Sequence, residues 1–403
     1  MAAQAPELRR PRWGYQTSLF QPRRFAFWVF AALVGLGTLN TVALQDAWQR
    51  VSPTGWALSW GLMVLYAVPV FLTVYLLDLY EREPASLLIG ALLWGLGTAP
   101  LLASIGNEGW GLFISRVADP TFALEWTAAL TAPFVEEIVK AAGVILLVLI
   151  ARAEFDDVMD GFVYGAMVGL GFTVLEDVFY FMAHFGGHPE GVLVGFFLRV
   201  VASGLYSHVL YTGLTGMGIA YFVTRRGEAT FARRLSVSAG LFAVAIFGHF
   251  LWNSPLLNFL PEPPWTASDW IQIPLATAVK GVPLLVFVLL MVRLARGREA
   301  RWLAGALASE VGLGGVDAAE LQALTSPRQR RRAVGEMRRR AGGRAADLLK
   351  RLQRQQINLA MIATRVSGPG GTDLARQREY CKSLREALRA IPGAAPAEVS
   401  GTA

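Results

Sequence analysis

Cysteine is all but missing from this 403-residue chain. The single Cys381 excludes a disulfide framework and a cysteine-rich metal knuckle, and it leaves the redox compartment open. Charge is scarce too. Asp, Glu, Lys and Arg together make up 17% of the residues against 54% hydrophobic ones, and the mean hydropathy is +0.42. A soluble globular domain rarely reaches that balance, so the chain belongs in a bilayer. Lysine occurs only at 140, 280, 350 and 382, which leaves arginine to carry the positive charge and fits a bacterial, high-GC origin. No cleavable signal is expected, because arginine-rich Met1 to Arg24 leads into an apolar span with no small-residue cleavage pattern behind it.

What is present is a series of apolar runs, each about 20 residues long and bounded by charge or turn signals. Eight are read, near 25–44, 57–77, 86–105, 127–150, 158–182, 191–223, 235–253 and 272–294. The expected fold class is all-α: a polytopic membrane bundle of about eight transmembrane helices with a small C-terminal cytoplasmic helical tail. Arginine sets the orientation. Arg9, Arg10, Arg12, Arg23 and Arg24 precede the first span, Arg225, Arg226, Arg233 and Arg234 fill one loop, and the tail is strongly basic. With eight spans all three fall on one side, and the opposite loops contain only Arg50 and Arg116. The positive-inside rule then places both termini in the cytoplasm, with the chain a multi-pass protein of a bacterial inner membrane.

Two segments do not fit a simple crossing. The run 191–223 is long enough for about 50 Å of helix against about 30 Å of hydrocarbon, so it must tilt, bend or break, and Ser203-Gly204 is the expected weak point. Between the third and fourth spans, Trp110, Phe113, Phe122 and Trp126 are interspersed with Asn107, Glu108, Arg116 and Asp119. That stretch reads either as an interfacial segment on the outer surface or as an ordinary loop.

From Ala295 onward the chain turns rich in Ala, Arg, Leu and Gln. Ala346, Leu348, Leu349, Leu352, Ile357, Leu359 and Ile362 stand at helical spacing. The expected organisation is a basic cytoplasmic N-terminus over 1–24, a membrane core over 25–294, a basic helical tail over 295–391 and a disordered end over 392–403. The runs Arg328 to Arg332 and Arg338 to Arg340 suit anionic lipid or nucleic acid, or form the solvated face of a juxtamembrane helix, and no nucleic-acid partner is expected.

Ionisable residues inside the spans mark function by default, because they are expensive there. The fourth span reads TAPFVEEIVKAAGVILLVLI, with Glu136, Glu137 and Lys140 in an otherwise apolar helix. Lys140 is i,i+4 from Glu136 and i,i+3 from Glu137, so it can neutralise one of them. Adjacent residues project about 100° apart, which frees the other to face a pocket and activate water. A buried ion pair that fixes helix register is the structural alternative. The fifth span places Gly161, Gly165 and Gly169 on one face as a flat ridge for another helix, and that face continues through Phe172 to Glu176, followed by Asp177. His208 lies in the sixth run. His249 and Asn253, i,i+4 apart, share one face of the last turn before Pro255. A membrane histidine is commonly a helix-helix hydrogen bond, but two in this company favour a site. His184 and His188 fall in a short outer loop and should face water. Arg199 would lie opposite His208 on an unbroken helix; with a break it can counter the acids, and otherwise it snorkels to the headgroups. The inferred orientation brings Glu136, Glu137, Glu176 and His249 to the outer half of the bilayer, with His208 near its middle.

These residues resemble the motifs of the PrsW family of intramembrane proteases, within a superfamily that includes the type II CAAX prenyl proteases. The likeness rests on EEIVK at Glu136 to Lys140, on DGFVYGAMVGLGF with its following acid, on the Arg199 to His208 segment with Gly213 and Gly216, and on HFLWN at His249 to Asn253. It covers roughly residues 60 to 295. Asp177 stands where the pattern usually has asparagine, and the tail has no counterpart. The resemblance implies hydrolysis of a peptide bond in a membrane-anchored substrate, as by a first-cut protease of single-span proteins such as anti-sigma factors. It casts Glu136 or Glu137 as general base, and His208 and His249 as electrophilic stabilisers or metal ligands. Asn253 would bind the oxyanion or orient His249, with Lys140, Glu176, Asp177 and Arg199 in support. The family's description as metalloproteases, with His208, His249 and Glu176 as a donor set, fits zinc with an open position. The prenyl-protease relatives resemble glutamate-type enzymes that need no ion, and HExxH does not occur, so both readings stand. Two further classes use the same polar residues: a transporter, for which internal repeats would be expected and none is evident, and a non-catalytic membrane scaffold. Oligomeric state is left open.

Overall fold

The computed structural model describes residues 18–77, 83–202, 207–256, 269–365 and 372–394. It is helical throughout, with no strand among the described residues. Two compact units separate between Arg293 and Leu294.

The first unit begins with α1 (Phe25–Val51) and α2 (Pro53–Leu77). Helices α3 (Ala85–Leu93) and α4 (Ala99–Val117) are joined end to end by a π-helical turn at Trp94–Thr98. Helix α5 (Pro120–Ile150) starts only two residues after α4, with the Asp119 carboxylate accepting from the Thr121 and Phe122 amides and proline in the first turn. Helix α6 (Val158–Ala183) opens on an Asp157/Asp160 capping box. Then come α7 (Pro189–Phe196), a second π-helical turn at Phe197–Ala202, α8 (Ser207–Thr224), α9 (Phe231–Asn253) and α10 (Asp269–Ala308). Among the described residues, six helical stretches are long and apolar enough to cross a membrane: α1, α2, α3 with α4, α6, α9 and α10 from Thr277. Of the other two expected crossings, α5 is 31 residues long but carries Glu136, Glu137 and Lys140, and the run 191–223 is divided among α7, the π-turn and α8.

The helices overrun the apolar runs from which they were expected, because a helix continues past the edge of the hydrocarbon. The clearest case is the aromatic stretch after the third span. It is neither a separate interfacial segment nor a loop: Trp110 and Phe113 lie in the last turns of α4, and Phe122 and Trp126 in the first turns of α5. The expected weak point at Ser203-Gly204 lies outside the described residues.

The burial pattern is that of a bundle in lipid. Helices α1 and α2 expose large apolar side chains such as Leu36, Leu39, Leu65 and Leu72, while α6 is buried along nearly its whole length. Helix α6 packs along α8 and also against α2, α3 and α5. The glycine ridge makes the α6–α8 approach possible. A Cβ on Gly161, Gly165 or Gly169 would stand 2.2 Å from the carbonyl oxygen of Gly216, Thr212 or His208 respectively, a separation no side chain tolerates. Beyond the Gly161 contact, Arg225 Nη2 binds Asp157 Oδ1 at 2.9 Å and ties the end of α8 to the start of α6.

The second unit contains α11 (Ala318–Leu324), α12 (Pro327–Arg365) and α13 (Thr372–Arg389). Helix α12 is kinked at Gly342, whose φ of 84° suits glycine alone. Of the residues at helical spacing, Ala346, Leu352, Ile357 and Leu359 are buried with Leu374, Cys381 and Leu384, while Leu348, Leu349 and Ile362 are half-buried. Buried arginine-carboxylate pairs, Arg378 with Glu310 and Arg385 with Glu320, link α13 to the segment before α12. Residues 392–394 form a turn, and the rest of the expected disordered end, 395–403, lies outside the described residues.

Candidate active site

Five elements bring the expected residues to one cavity of about 520 Å³. It is lined by Glu136 from α5, Glu176 and Asp177 from α6, Arg199 from the second π-turn, His208 from α8, and His249 and Asn253 from α9. Pro133 lies one turn before Glu136 and withholds a helical donor from the carbonyl of Ala129 at this point in α5.

The two glutamates occupy different environments. Glu137 is fully buried and bound on all sides: Lys140 Nζ lies 2.7 Å and His249 Nδ1 3.1 Å from Oε1, and Thr212 Oγ1 donates to Oε2 at 3.3 Å. Glu136 is the one that faces the cavity. Its Oε1 accepts from Asn107 Nδ2 at 3.2 Å, while its buried Oε2 has no hydrogen-bond partner and lies 3.6 Å from Lys140 Nζ and 3.9 Å from His249 Nε2.

Lys140 assigns the state of His208. An ammonium can only donate, so the 3.0 Å contact from Lys140 Nζ makes His208 Nδ1 an acceptor, and Nε2–H then donates to Glu176 Oε2 at 2.8 Å. The Glu137 carboxylate accepts from His249 Nδ1–H, and in the neutral imidazole this turns the Nε2 lone pair toward Glu136 Oε2. The ring of His249 stacks on Tyr211 with centroids 4.9 Å apart, and His208 meets His249 edge to face at 5.1 Å.

On the far side of His208, Arg199 binds Asp177 Oδ1 through Nε at 2.7 Å and Glu176 Oε2 through Nη2 at 3.1 Å, and its guanidinium lies over the Tyr180 ring at 3.5 Å. Arg199 and His208 therefore meet the same carboxylate, which an unbroken helix would forbid. The π-turn at Phe197–Ala202 and the separate start of α8 at Ser207 remove that restriction. Asn253 shares the cavity, but its amide nitrogen lies 3.5 Å from the Ala128 carbonyl rather than against His249. His184 and His188 are exposed, and His188 caps α7 by accepting from the Gly191 amide.

Four residues of the site carry no signal of their own in the sequence. Asn107 is one polar residue of the aromatic stretch; Tyr180, Tyr211 and Thr212 are neutral side chains that an apolar span tolerates. No local signal distinguishes them, since their role depends on which helices become neighbours.

Glu136, His208 and His249 each offer a donor atom within 4.8 Å of the others. Two imidazoles and a carboxylate are a recurrent zinc donor set. The partnerless Glu136 Oε2 and the free His249 Nε2 fit such an ion directly, and His208 would exchange one of its two hydrogen bonds for it. Glu176, the carboxylate expected as third donor, instead holds His208 in place.

An apolar helical bundle that encloses acids and imidazoles around a water-accessible cavity has the build of a polytopic membrane enzyme. The sequence model of the family described as PrsW family intramembrane metalloprotease matches residues 83–293. Among curated proteins, Protease PrsW of Geobacillus kaustophilus (strain HTA426) is 30% identical over 201 residues, which is 49% of this chain and 72% of that protein. Protease PrsW of Bacillus subtilis (strain 168) is 29% identical over 137 residues, 31% of this chain and 60% of that protein. No solved structure matches. This chain belongs to the PrsW family and is a multi-pass membrane protease.

Proposed function

We propose that the chain is an intramembrane endopeptidase that cuts a single-span, membrane-anchored protein near the outer half of the bilayer, with Glu136 as the general base. The supporting observation is the pair of acceptors at the cavity wall. Glu136 Oε2 and the His249 Nε2 lone pair lie 3.9 Å apart with no donor between them, a gap that one water molecule can bridge with its two hydrogens.

In this reading Glu136 takes a proton from the bridging water as it attacks the scissile carbonyl, and later returns it to the leaving amine. Asn107 holds Oε1 so that Oε2 stays turned to the cavity. Glu137, neutralised by Lys140, fixes the His249 ring and tautomer. Asn253 donates to the developing oxyanion from the opposite wall, and Glu176 with Arg199 and Asp177 holds His208 at the floor. Where zinc is the resident metal, Glu136, His208 and His249 would hold it; when bound it would supply Lewis-acid polarisation and a more acidic water, and Glu136 would then serve as a ligand in place of a base.

Eight crossings place these groups at similar depth. They add α5 and the divided run ending in α8 to the six evident spans, with both termini in the cytoplasm of a bacterial inner membrane by the distribution of arginine. Anti-sigma factors are single-span proteins of the kind such a site would take. The test compares membrane proteomes of cells carrying wild type and Glu136→Gln. A single-span protein should persist at full length only in the variant; if no such protein changes length, the reading fails.

A further inference from the structure

The charge of the chain is divided unevenly. Residues 294–403 hold 20 Lys and Arg against 10 Asp and Glu, while residues 1–293 hold 17 against 20. Within the second unit, the acids Glu310, Asp317 and Glu320 are already matched by Arg378, Arg385 and Arg389. The excess positive charge is therefore concentrated elsewhere.

It lies on α12 before its kink. At 100° per residue, Arg328, Arg331, Arg332, Arg338 and Arg339 fall within roughly 120° of the circumference, along about 17 Å of helix. All five are exposed. The opposite side is turned inward, as the bond from Gln353 Nε2 to the Arg330 carbonyl at 3.4 Å shows. Acidic relief is slight: Glu336 binds Arg332 at 2.8 Å, and Asp347 approaches Arg338 at 3.7 Å. The helix is thus held by its apolar side with a straight row of guanidinium groups outward.

We propose that this arginine row docks on anionic phospholipid headgroups of the bilayer in which the chain is embedded. A straight row on a rigid helix matches a flat sheet of phosphates, and guanidinium groups bind phosphate oxygens in pairs. Arg328 follows the end of α10 by only 20 residues, so the membrane is always within reach. Nucleic acid is the less favoured partner: helix α12 contains no aromatic residue on which a base would stack. The proposal depends on membrane embedding and is independent of the proteolytic chemistry.

Limited trypsin digestion of the full chain tests it, in nanodiscs of phosphatidylcholine alone and of phosphatidylcholine with phosphatidylglycerol. Cleavage after Arg328, Arg331, Arg332, Arg338 and Arg339 should slow by at least about tenfold in the anionic discs and recover at high salt. Cleavage after exposed Arg376 and Lys382 serves as internal control and should not change. Replacing two members of the row, Arg331→Gln with Arg338→Gln, should restore cutting at the remaining three. Arg331→Lys with Arg338→Lys should preserve protection, and an unreactive Cys381 thiol reports that each variant is folded. Equal cleavage in both discs overturns the proposal. So does protection by a duplex oligonucleotide in neutral discs that equals or exceeds that of phosphatidylglycerol, which would assign the row to nucleic acid.

Discussion

Lys140 Nζ and His208 Nδ1 meet at 3.0 Å in the buried heart of the site, although 68 residues separate them in the chain. The same ammonium holds Glu137 at 2.7 Å and stands 4.1 Å above the Phe172 ring. One cation therefore neutralises a carboxylate, fixes an imidazole tautomer and packs on an aromatic face.

Removing it should be severe. Lys140→Met would strand the Glu137 carboxylate without its charge partner, and breaking a buried pair from one side costs about 3–5 kcal/mol. Thermal unfolding in detergent should show a large fall in midpoint, partly reversed when Glu137→Gln is added. An unchanged midpoint in the single variant would show that the pair does not hold the bundle.

Asn107→Ala should act differently. It releases one oxygen of Glu136 on the cavity side and leaves the Lys140 cluster alone, so stability should change little. Cleavage of a substrate identified by the proteome comparison should slow roughly tenfold, the worth of one hydrogen bond. Equal rates for variant and wild type would remove Asn107 from the site's working parts.

Arg199→Lys keeps the charge and loses the fork. The planar group now spans Asp177 and Glu176 while lying over Tyr180, and a lysine reaches one carboxylate at a time. A loss of about 1.5–3 kcal/mol is expected, seen as a lower unfolding midpoint. A midpoint equal to wild type would show that the charge alone matters.

Gly169→Val tests the close approach of α6 and α8. The added Cβ would stand 2.2 Å from the His208 carbonyl, so the helices must part and His208 must move. Overpacking of this kind costs about 1–3 kcal/mol or more. By contrast Gly35→Ala on α1, with nothing within 4 Å of its Cβ, should leave the midpoint unchanged or slightly raised.

Burial pushes the Cys381 thiol up from 9.0 to about 12. In the native chain it should resist maleimide at neutral pH and react only after unfolding. Because the folded form holds its proton more tightly than the unfolded one, its contribution to stability is intact below about pH 9 and is lost between about 9 and 12. Denaturation of wild type and Cys381→Ala across that range should converge on a difference with this slope; parallel curves would count against it.

The acids, the lysine and the histidines were legible because each is costly in an apolar run and so announces itself. The glycine ridge was legible too, since its spacing of four predicts one face, and that face does lead to Glu176 and His208. What could not be read was which glutamate turns to the cavity. Glu136 and Glu137 are about 100° apart on one helix and both within reach of Lys140, and only the positions of α9 and α4 decide that His249 takes Glu137 while Asn107 takes Glu136. For Arg199 the spacing allows two readings, snorkelling to the headgroups or countering the acids across a break, and it pairs with Asp177 and Glu176; the π-turn at Phe197–Ala202 itself has no residue signature that a count of apolar residues detects.

The near-complete enclosure of α6 has a consequence for traffic. A helix with almost no surface facing lipid cannot serve as a gatepost, so under the proposed function a substrate segment diffusing sideways through the bilayer would enter between the peripheral helices. Leu124, Thr127, Ala128, Thr131 and Ala132 of α5 line the cavity together with Trp252 and Asn253 of α9, which meets α5 where Asn253 Nδ2 lies 3.5 Å from the Ala128 carbonyl. The central helix is then the fixed axle of the machine, and the doorway belongs to its neighbours.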